Sequence, residues 1–185
     1  MSSISSVEDI FTLYYERGSK PYGERVTALQ HSLQCAFLAS QAGADDELVL
    51  ACLLHDIGHI EADLQGTQRF DFEVDDDDHE ALGARILSPL FGPKVAQPVS
   101  LHVTAKRWRC TVDPGYYDTL SETSKATYKA QGGPLSEAEC RRFEEHPGFA
   151  RALDLRTYDD LAKDPDAVCP NLESYRDLMN TLVLR

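Results

Sequence analysis

The chain has 185 residues, enough for one domain and short for two. Hydrophobic residues make up 42% of it, which excludes a collagen-like or wholly disordered chain. Acidic residues outnumber basic ones 31 to 18, a net charge of −13, which argues against a nucleic-acid partner and against docking on an anionic membrane face.

The N-terminus, MSSISSVEDI, has neither a basic n-region nor an apolar h-region. No apolar run reaches the length of a membrane span. Residues 29–42 are poor in Gly and Pro, and Leu29, Leu33 and Phe37 recur at helical spacing, so a helix is expected there with Gly43 just beyond its end. Asp45 or Asp46 caps a second expected helix, DELVLACLLHDIGH, with Leu50, Leu53, Leu54 and Ile57 on its apolar face and Gly58 weakening its end. Residues 61–78 are polar and irregular and end in four aspartates.

A third helix is expected over 79–91, disturbed by Pro89 and stopped by Gly92 and Pro93. A fourth is expected over 94–108 in spite of Pro98. DPGYY reads as a turn. Shorter helices are expected over 121–130, 136–146, 148–158 and 174–184, the second opening with the capping box Ser136-x-x-Glu139. There is no alternating strand pattern and no repeat, so one all-α domain over residues 1–185 is expected. Cys35, Cys52, Cys110, Cys140 and Cys169 are scattered without a CxxC, as free thiols in a reducing cytoplasm would be.

The chemistry-bearing residues are histidines. His31, His55, His79 and His102 each fall in a different expected helix, which is how a helical bundle builds a metal site in its core. His55-Asp56 is the most informative dipeptide. An imidazole offers one nitrogen to one metal, whereas a carboxylate has two oxygens and can bridge two. His31, His55 and Asp56 on one side, and Asp56, His79 and His102 on the other, describe a dinuclear centre suited to iron, manganese or zinc.

The ordered series His31, His55-Asp56 and a distal aspartate resembles the HD-domain superfamily. The stretches YGERVTALQHSLQCA, LACLLHDIGH, HEALGA, LHVTAKR, LSETSKATYKAQGGP and RTYDD narrow the resemblance to the HD-domain oxygenases that cleave 1-hydroxylated organophosphonates. The resemblance implies a helical HD-domain bundle with two iron ions, Fe(II)/Fe(III), in its core. It implies O₂ and a small organophosphonate as substrates, C–P cleavage to a carboxylic acid and phosphate, and no partner protein that the sequence identifies. The implied metal ligands are His31, His55, Asp56 as the bridge, His79, His102 and Asp159, with the adjacent Asp160 able to turn inward instead. Lys106, one turn beyond His102, is implied to bind the phosphonate and assist catalysis, with the hydroxyls of Ser124 and Thr127 and the Arg156 fork beside it.

For the far end of the substrate the resemblance points to Glu24 and His59, with the aspartates before His79 attracting a cationic group. It also places a tyrosine three residues before the Glu24 position. Here Pro21 stands there and Tyr22 follows, so either Tyr22 acts from a shifted loop or the substrate differs. The expected product is glycine or glycine betaine, from a 1-hydroxyphosphonate with an amino or a trimethylammonio group at C2, and the tyrosine shift favours the methylated form. The competing readings are a metal-dependent HD-domain phosphohydrolase acting on a phosphate ester and a catalytically silent HD domain.

Overall fold

The computed structural model describes residues 4–21, 25–62 and 78–184. Among these every regular element is helical, and the one β-bridge is an isolated pair, Pro21 with Thr27. The all-α expectation holds.

Helix α1 (Val7–Arg17) is not among the expected elements. Its signal is ordinary, however. Ser6 caps it by accepting from Asp9 N–H, acidic residues fill its first turn, and Val7, Ile10, Phe11 and Tyr14 are buried at i, i+3, i+4 and i+7. Tyr14 fastens the helix inward, its hydroxyl donating to the Leu53 carbonyl at 2.9 Å. Helix α2 (Ala28–Gln41) opens with a Thr27/Gln30 capping box, and Gly43 follows it at φ +77°, a conformation that favours glycine.

The helix expected to run past residue 55 is two helices, α3 (Asp46–Leu54) and α4 (Ile57–Ala62), with His55-Asp56 at the break. His55 Nδ1 bonds to the Cys52 carbonyl at 2.8 Å, the acceptor that a continuing helix offers to the Asp56 N–H. Gly58 has a second role beyond weakening the helix. A Cβ there would lie 2.0 Å from the His79 carbonyl oxygen, so α4 meets the start of α5 (His79–Phe91) backbone to backbone. Asp78, just before His79, sits in the left-handed region at φ +48°, which Asp tolerates better than most residues.

Pro93 stops α5 and also begins α6 (Pro93–Val112), since a first-turn position has no N–H bond to lose. Helix α6 runs four residues past its expected end. The DPGYY turn leads into a one-turn helix, α7 (Tyr116–Thr119), followed by α8 (Glu122–Ala130), α9 (Glu137–Glu144) and α10 (Phe149–Leu161). A 3₁₀ turn (Leu172–Tyr175) and α11 (Arg176–Leu182) complete the described chain.

Helix α6 is the axis. It packs against α3, α5 and α10, while α2 packs against α3 and α10. Leu50, Leu53, Leu54, Ile57, Leu87, Val95, Val99 and Leu155 are fully buried between them. Each such side chain contributes about 1.5–3 kcal/mol. This apolar frame surrounds a polar centre built by α2, the α3–α4 break, α5, α6 and α10.

The backbone contact at Gly58 yields a prediction. Gly58→Ala should destabilise the chain by about 1–3 kcal/mol through overpacking. It should also displace His79 and lower the metal content, read from thermal melts together with metal analysis of the purified variant. A variant with wild-type melting and metal content would contradict the close approach.

Candidate metal centre

His31, His55, Asp56, His79, His102 and Asp159 come from five separate parts of the fold, and each is no more than 6% exposed. The imidazoles are aimed by the backbone. His31 Nδ1 faces the Ala162 carbonyl at 2.8 Å, His55 Nδ1 that of Cys52 at 2.8 Å and His102 Nδ1 that of Val99 at 2.7 Å. A carbonyl only accepts, so each Nδ1 carries a proton, and each ring turns its Nε2, the atom that can bind a metal, toward the centre. His79 Nδ1 lies 3.4 Å from Glu80 Oε2.

The Nε2 atoms gather in two sets. His31 and His55 bring theirs to 3.2 Å of each other, with Asp159 Oδ1 3.2 Å from His31 Nε2 and Asp56 Oδ2 3.0 Å from His55 Nε2. His79 and His102 bring theirs to 3.1 Å, with Asp56 Oδ1 at 3.5 and 3.7 Å. Asp56 thus turns one carboxylate oxygen to each set. Asp159, rather than Asp160, faces the histidines. Facing lone pairs repel one another, and a cation between them turns that repulsion into ligation. The donor set fits metal ions: imidazole nitrogen and carboxylate oxygen, with the Nδ1–H of His31, His55 and His102 oriented by backbone carbonyls.

The electrostatics agree. Burial works against the Asp56 carboxylate, but His55, His59 and His79 outweigh it and hold its pKa well below the ordinary value. Burial likewise opposes Asp159, and Arg156, His31 and His55 hold it well below. Burial and the neighbouring His79 and His55 push His102 well down, as a neutral ligand requires. His55 goes the other way, to about 9, because Asp56 and Asp159 overcome its burial.

A cavity opens on the cluster, with Asp56, His79, His102 and Asp159 in one wall and Lys106, Ser124 and Thr127 in another. Lys106 is 4% exposed, donates to Thr127 Oγ1 at 2.8 Å and forms no ion pair among the described residues. Burial and the like charges of Arg156 and Lys163 lower its pKa to about 7. Arg156 also lines the cavity, but its guanidinium is engaged. It donates to Asp159 Oδ2 at 2.7 Å, to the Tyr116 hydroxyl at 3.0 Å and to Asp160. His59 lies in the wall and stacks on His79, ring centroids 3.6 Å apart. Tyr22, Glu24 and the aspartates at 75–77 lie outside the described residues.

Sequence reasoning missed Lys163. Its ammonium donates to Ser121 Oγ at 3.1 Å and Ser124 Oγ at 2.9 Å in the same cavity. Its only cue in the sequence is its place four residues beyond Asp159, where α10 has already ended.

The chain matches the HD domain family over residues 28–141. It is 41% identical to a hydroxymethylphosphonate dioxygenase of Gimesia maris, covering 91% of this chain and 84% of that protein. It is 35% identical to a [1-hydroxy-2-(trimethylamino)ethyl]phosphonate dioxygenase (glycine-betaine-forming) of Leisingera caerulea, covering 96% and 90%. An uncharacterized protein of Acanthamoeba polyphaga mimivirus is 34% identical over 95% of this chain and 81% of its own length.

Because Asp56 faces both sets, Asp56→Ala should remove metal from both. His55→Ala should disturb mainly the set that holds His31 and Asp159. Metal analysis after anaerobic reconstitution reads the difference. Full occupancy in Asp56→Ala would rule out a shared carboxylate.

Proposed function

The chain belongs to the HD-domain family, and from that premise we propose that it is an O₂-dependent oxygenase that breaks the C–P bond of a small 1-hydroxyphosphonate at a pair of iron ions, Fe(II)/Fe(III). The observation that carries the reading is the cavity itself, where Lys106 and hydroxyl donors stand against the His/Asp cluster. The relatives' names supply the substrate class. The whole chain, 1–185, is taken as one domain, since α10, beyond the matched span, brings Asp159 to the cluster.

In this reading His31, His55 and Asp159 would hold one iron, His79 and His102 would hold the other, and Asp56 would be shared between them. The bound pair supplies the one-electron chemistry that O₂ requires. The protein's part is positioning. Lys106 binds the phosphonate by charge, Ser124 and Thr127 bind it through their hydroxyls, and an anion held there presents C1 to the cluster. Arg156 keeps Asp159 ionised and aimed, which complements any contact its remaining N–H groups make. The C–P and C1–H bonds would break, one C–O and one P–O bond would form with the two atoms of O₂, which takes up four electrons, and the products would be a carboxylic acid and phosphate. A phosphohydrolase would need no O₂ and would release phosphate from an ester.

Two substrates differ in what lies beyond C1. Hydroxymethylphosphonate would give formate and needs nothing there. This agrees with a cavity lined, among the described residues, by no Phe, Tyr or Trp. A trimethylammonio substrate prefers aromatic faces and carboxylates, which Tyr22 and Glu24 would have to provide. Comparing kcat/KM for hydroxymethyl-, amino- and trimethylammonio-substituted compounds under O₂ decides between them. Phosphate release that does not consume O₂ would overturn the oxygenase reading.

Lys106 adds a pH dependence. Near pH 7 and above the empty cavity holds it increasingly neutral, and a bound phosphonate favours the ammonium, so binding raises its pKa. Its contribution is therefore full below pH 7 and is lost as pH rises through the bound-state value. Affinity should fall by up to about tenfold per pH unit above 7. Calorimetry in buffers of different ionisation enthalpy should register proton uptake, corrected for the ligand's own titration. Lys106→Ala should weaken binding by roughly 10- to 100-fold and abolish that uptake. Retained uptake would assign the proton elsewhere.

A further inference from the structure

The last turns of α10 bring Arg156, Asp159 and Asp160 together, and a residue from another element closes the group. Tyr116, the first residue of α7, donates its hydroxyl proton to Asp160 Oδ2 at 2.5 Å and accepts the Arg156 Nε–H at 3.0 Å. Arg156 donates from its other two nitrogens, to Asp159 Oδ2 at 2.7 Å and to Asp160. The tyrosine ring is held in its turn. The Arg109 guanidinium lies over it, 5.5 Å from its centroid, and Arg109 is fastened to α10 through the Leu153 carbonyl at 2.9 Å and Thr157 Oγ1 at 2.5 Å.

We propose that Tyr116 is a positioning residue for the metal set of His31, His55 and Asp159, its hydroxyl fixing the Arg156 fork so that Asp159 presents a single oxygen, Oδ1, to the cluster. This rests on the metal reading of the cluster and is independent of which substrate the cavity takes. A carboxylate binds a metal through one oxygen or through both. Here Arg156 claims Oδ2, while Oδ1 faces the histidines, 3.2 Å from His31 Nε2 and 3.9 Å from His55 Nε2. The two acids that Arg156 meets lie on its own helix, at i+3 and i+4. Among the described residues, the Nε bond to Tyr116 is the one hydrogen bond that reaches the guanidinium from another element. It removes freedom that a long arginine side chain otherwise keeps, so the place of Oδ2, and with it that of Oδ1, is set from α7. Phenylalanine would keep the ring but has neither the donor nor the acceptor. The His79 and His102 set lies outside this chain of contacts, since the carboxylate that faces it is that of Asp56. One side of the centre should therefore feel the hydroxyl, and the other should not.

The test titrates Mn(II) into metal-free protein under anaerobic conditions, followed by calorimetry and EPR. The wild type should take up two ions. Tyr116→Phe, which keeps the ring under Arg109 and loses only the hydroxyl, should weaken one of the two by about five- to tenfold, as loss of one hydrogen bond to a charged group implies. The other ion and the melting temperature should stay near wild type. At limiting Mn(II) the variant's EPR should show isolated ions where the wild type shows a coupled pair. Arg156→Lys, which keeps the charge and loses the fork, should weaken the same ion. Adding Tyr116→Phe to Arg156→Lys should cost nothing further, because the hydroxyl acts through the arginine. Tyr117→Phe, at the neighbouring ring that packs on Tyr128, serves as the control and should change nothing. Wild-type affinity for both ions in Tyr116→Phe would overturn the positioning role. Equal weakening of both ions together with a lowered melting temperature would overturn it too, since the hydroxyl would then support the fold at large. So would additive effects of the two substitutions. If instead His31→Ala keeps both ions at full affinity, the metal reading of the cluster is what fails.

Discussion

Everything in this molecule turns on a point where four imidazoles and two carboxylates face one another in the buried interior. His31 and His55 Nε2 stand 3.2 Å apart, and His79 and His102 Nε2 3.1 Å apart, with Asp56 between the pairs. Gathering ligand nitrogens and negative charge in a buried interior is unfavourable unless a cation is added. The centre is therefore held open by the frame around it. Backbone carbonyls fix three of the rings, and the carbonyls are fixed by helices whose apolar faces bury Leu50, Leu54, Val99 and Leu155. Hydrophobic burial thus supplies the stability with which an electrostatically demanding site is assembled.

The local departures from regular helix serve the same end. A continuous helix through residue 59 would point His55 and Asp56 about 100° apart around its axis. The break after Leu54 puts both side chains at the end of α3, where they can share one centre. Gly58 then lets α4 press on the first turn of α5, so that Asp56 and His79 approach within 3.5 Å. Asp78 enters α5 through a left-handed turn that most residues avoid. Three irregular features in succession flank ligands, where strain is most often tolerated for function.

Much of this was legible in the sequence. The cap at Asp45, the Ser136 capping box and the apolar spacing of α2 announced their helices. The histidines that the structure brings together are those the spacing singled out. What escaped has physical reasons. Helix α1 follows a polar lead-in and was passed over in spite of its own cap and period. The break at His55 depends on a ring competing for a backbone carbonyl, which no propensity encodes. Gly58 reads as a weak point in one dimension and as a contact surface in three. Arg156 looked like a free fork, because the sequence cannot say that Tyr116, forty residues earlier, and Asp160 share it with Asp159. Lys163 lies past the end of a helix, where periodicity no longer says which way a side chain points.

The charge balance brings these strands together. A chain of net charge −13 must still admit a dianion to a centre that already holds two carboxylates. General attraction cannot do this, so the positive charge has to be local and kept unneutralised. Lys106 achieves it by being buried against Thr127 with no acid in ion-pair reach among the described residues, which lowers its pKa to about 7 and leaves it ready to regain a proton beside an anion. Arg156 achieves the complementary task by giving its charge to Asp159 and Asp160, so the carboxylate that faces the cluster stays ionised while the surplus acid is absorbed. The stretch from the last turns of α10 into residues 162–163 then completes the division of labour. Within eight residues it carries the arginine that steadies the cluster, the carboxylate that joins it, the carbonyl that aims His31 and the lysine that faces the anion cavity. Metal site and anion site are consequently two sides of one short stretch of backbone, and whatever orders that stretch orders both.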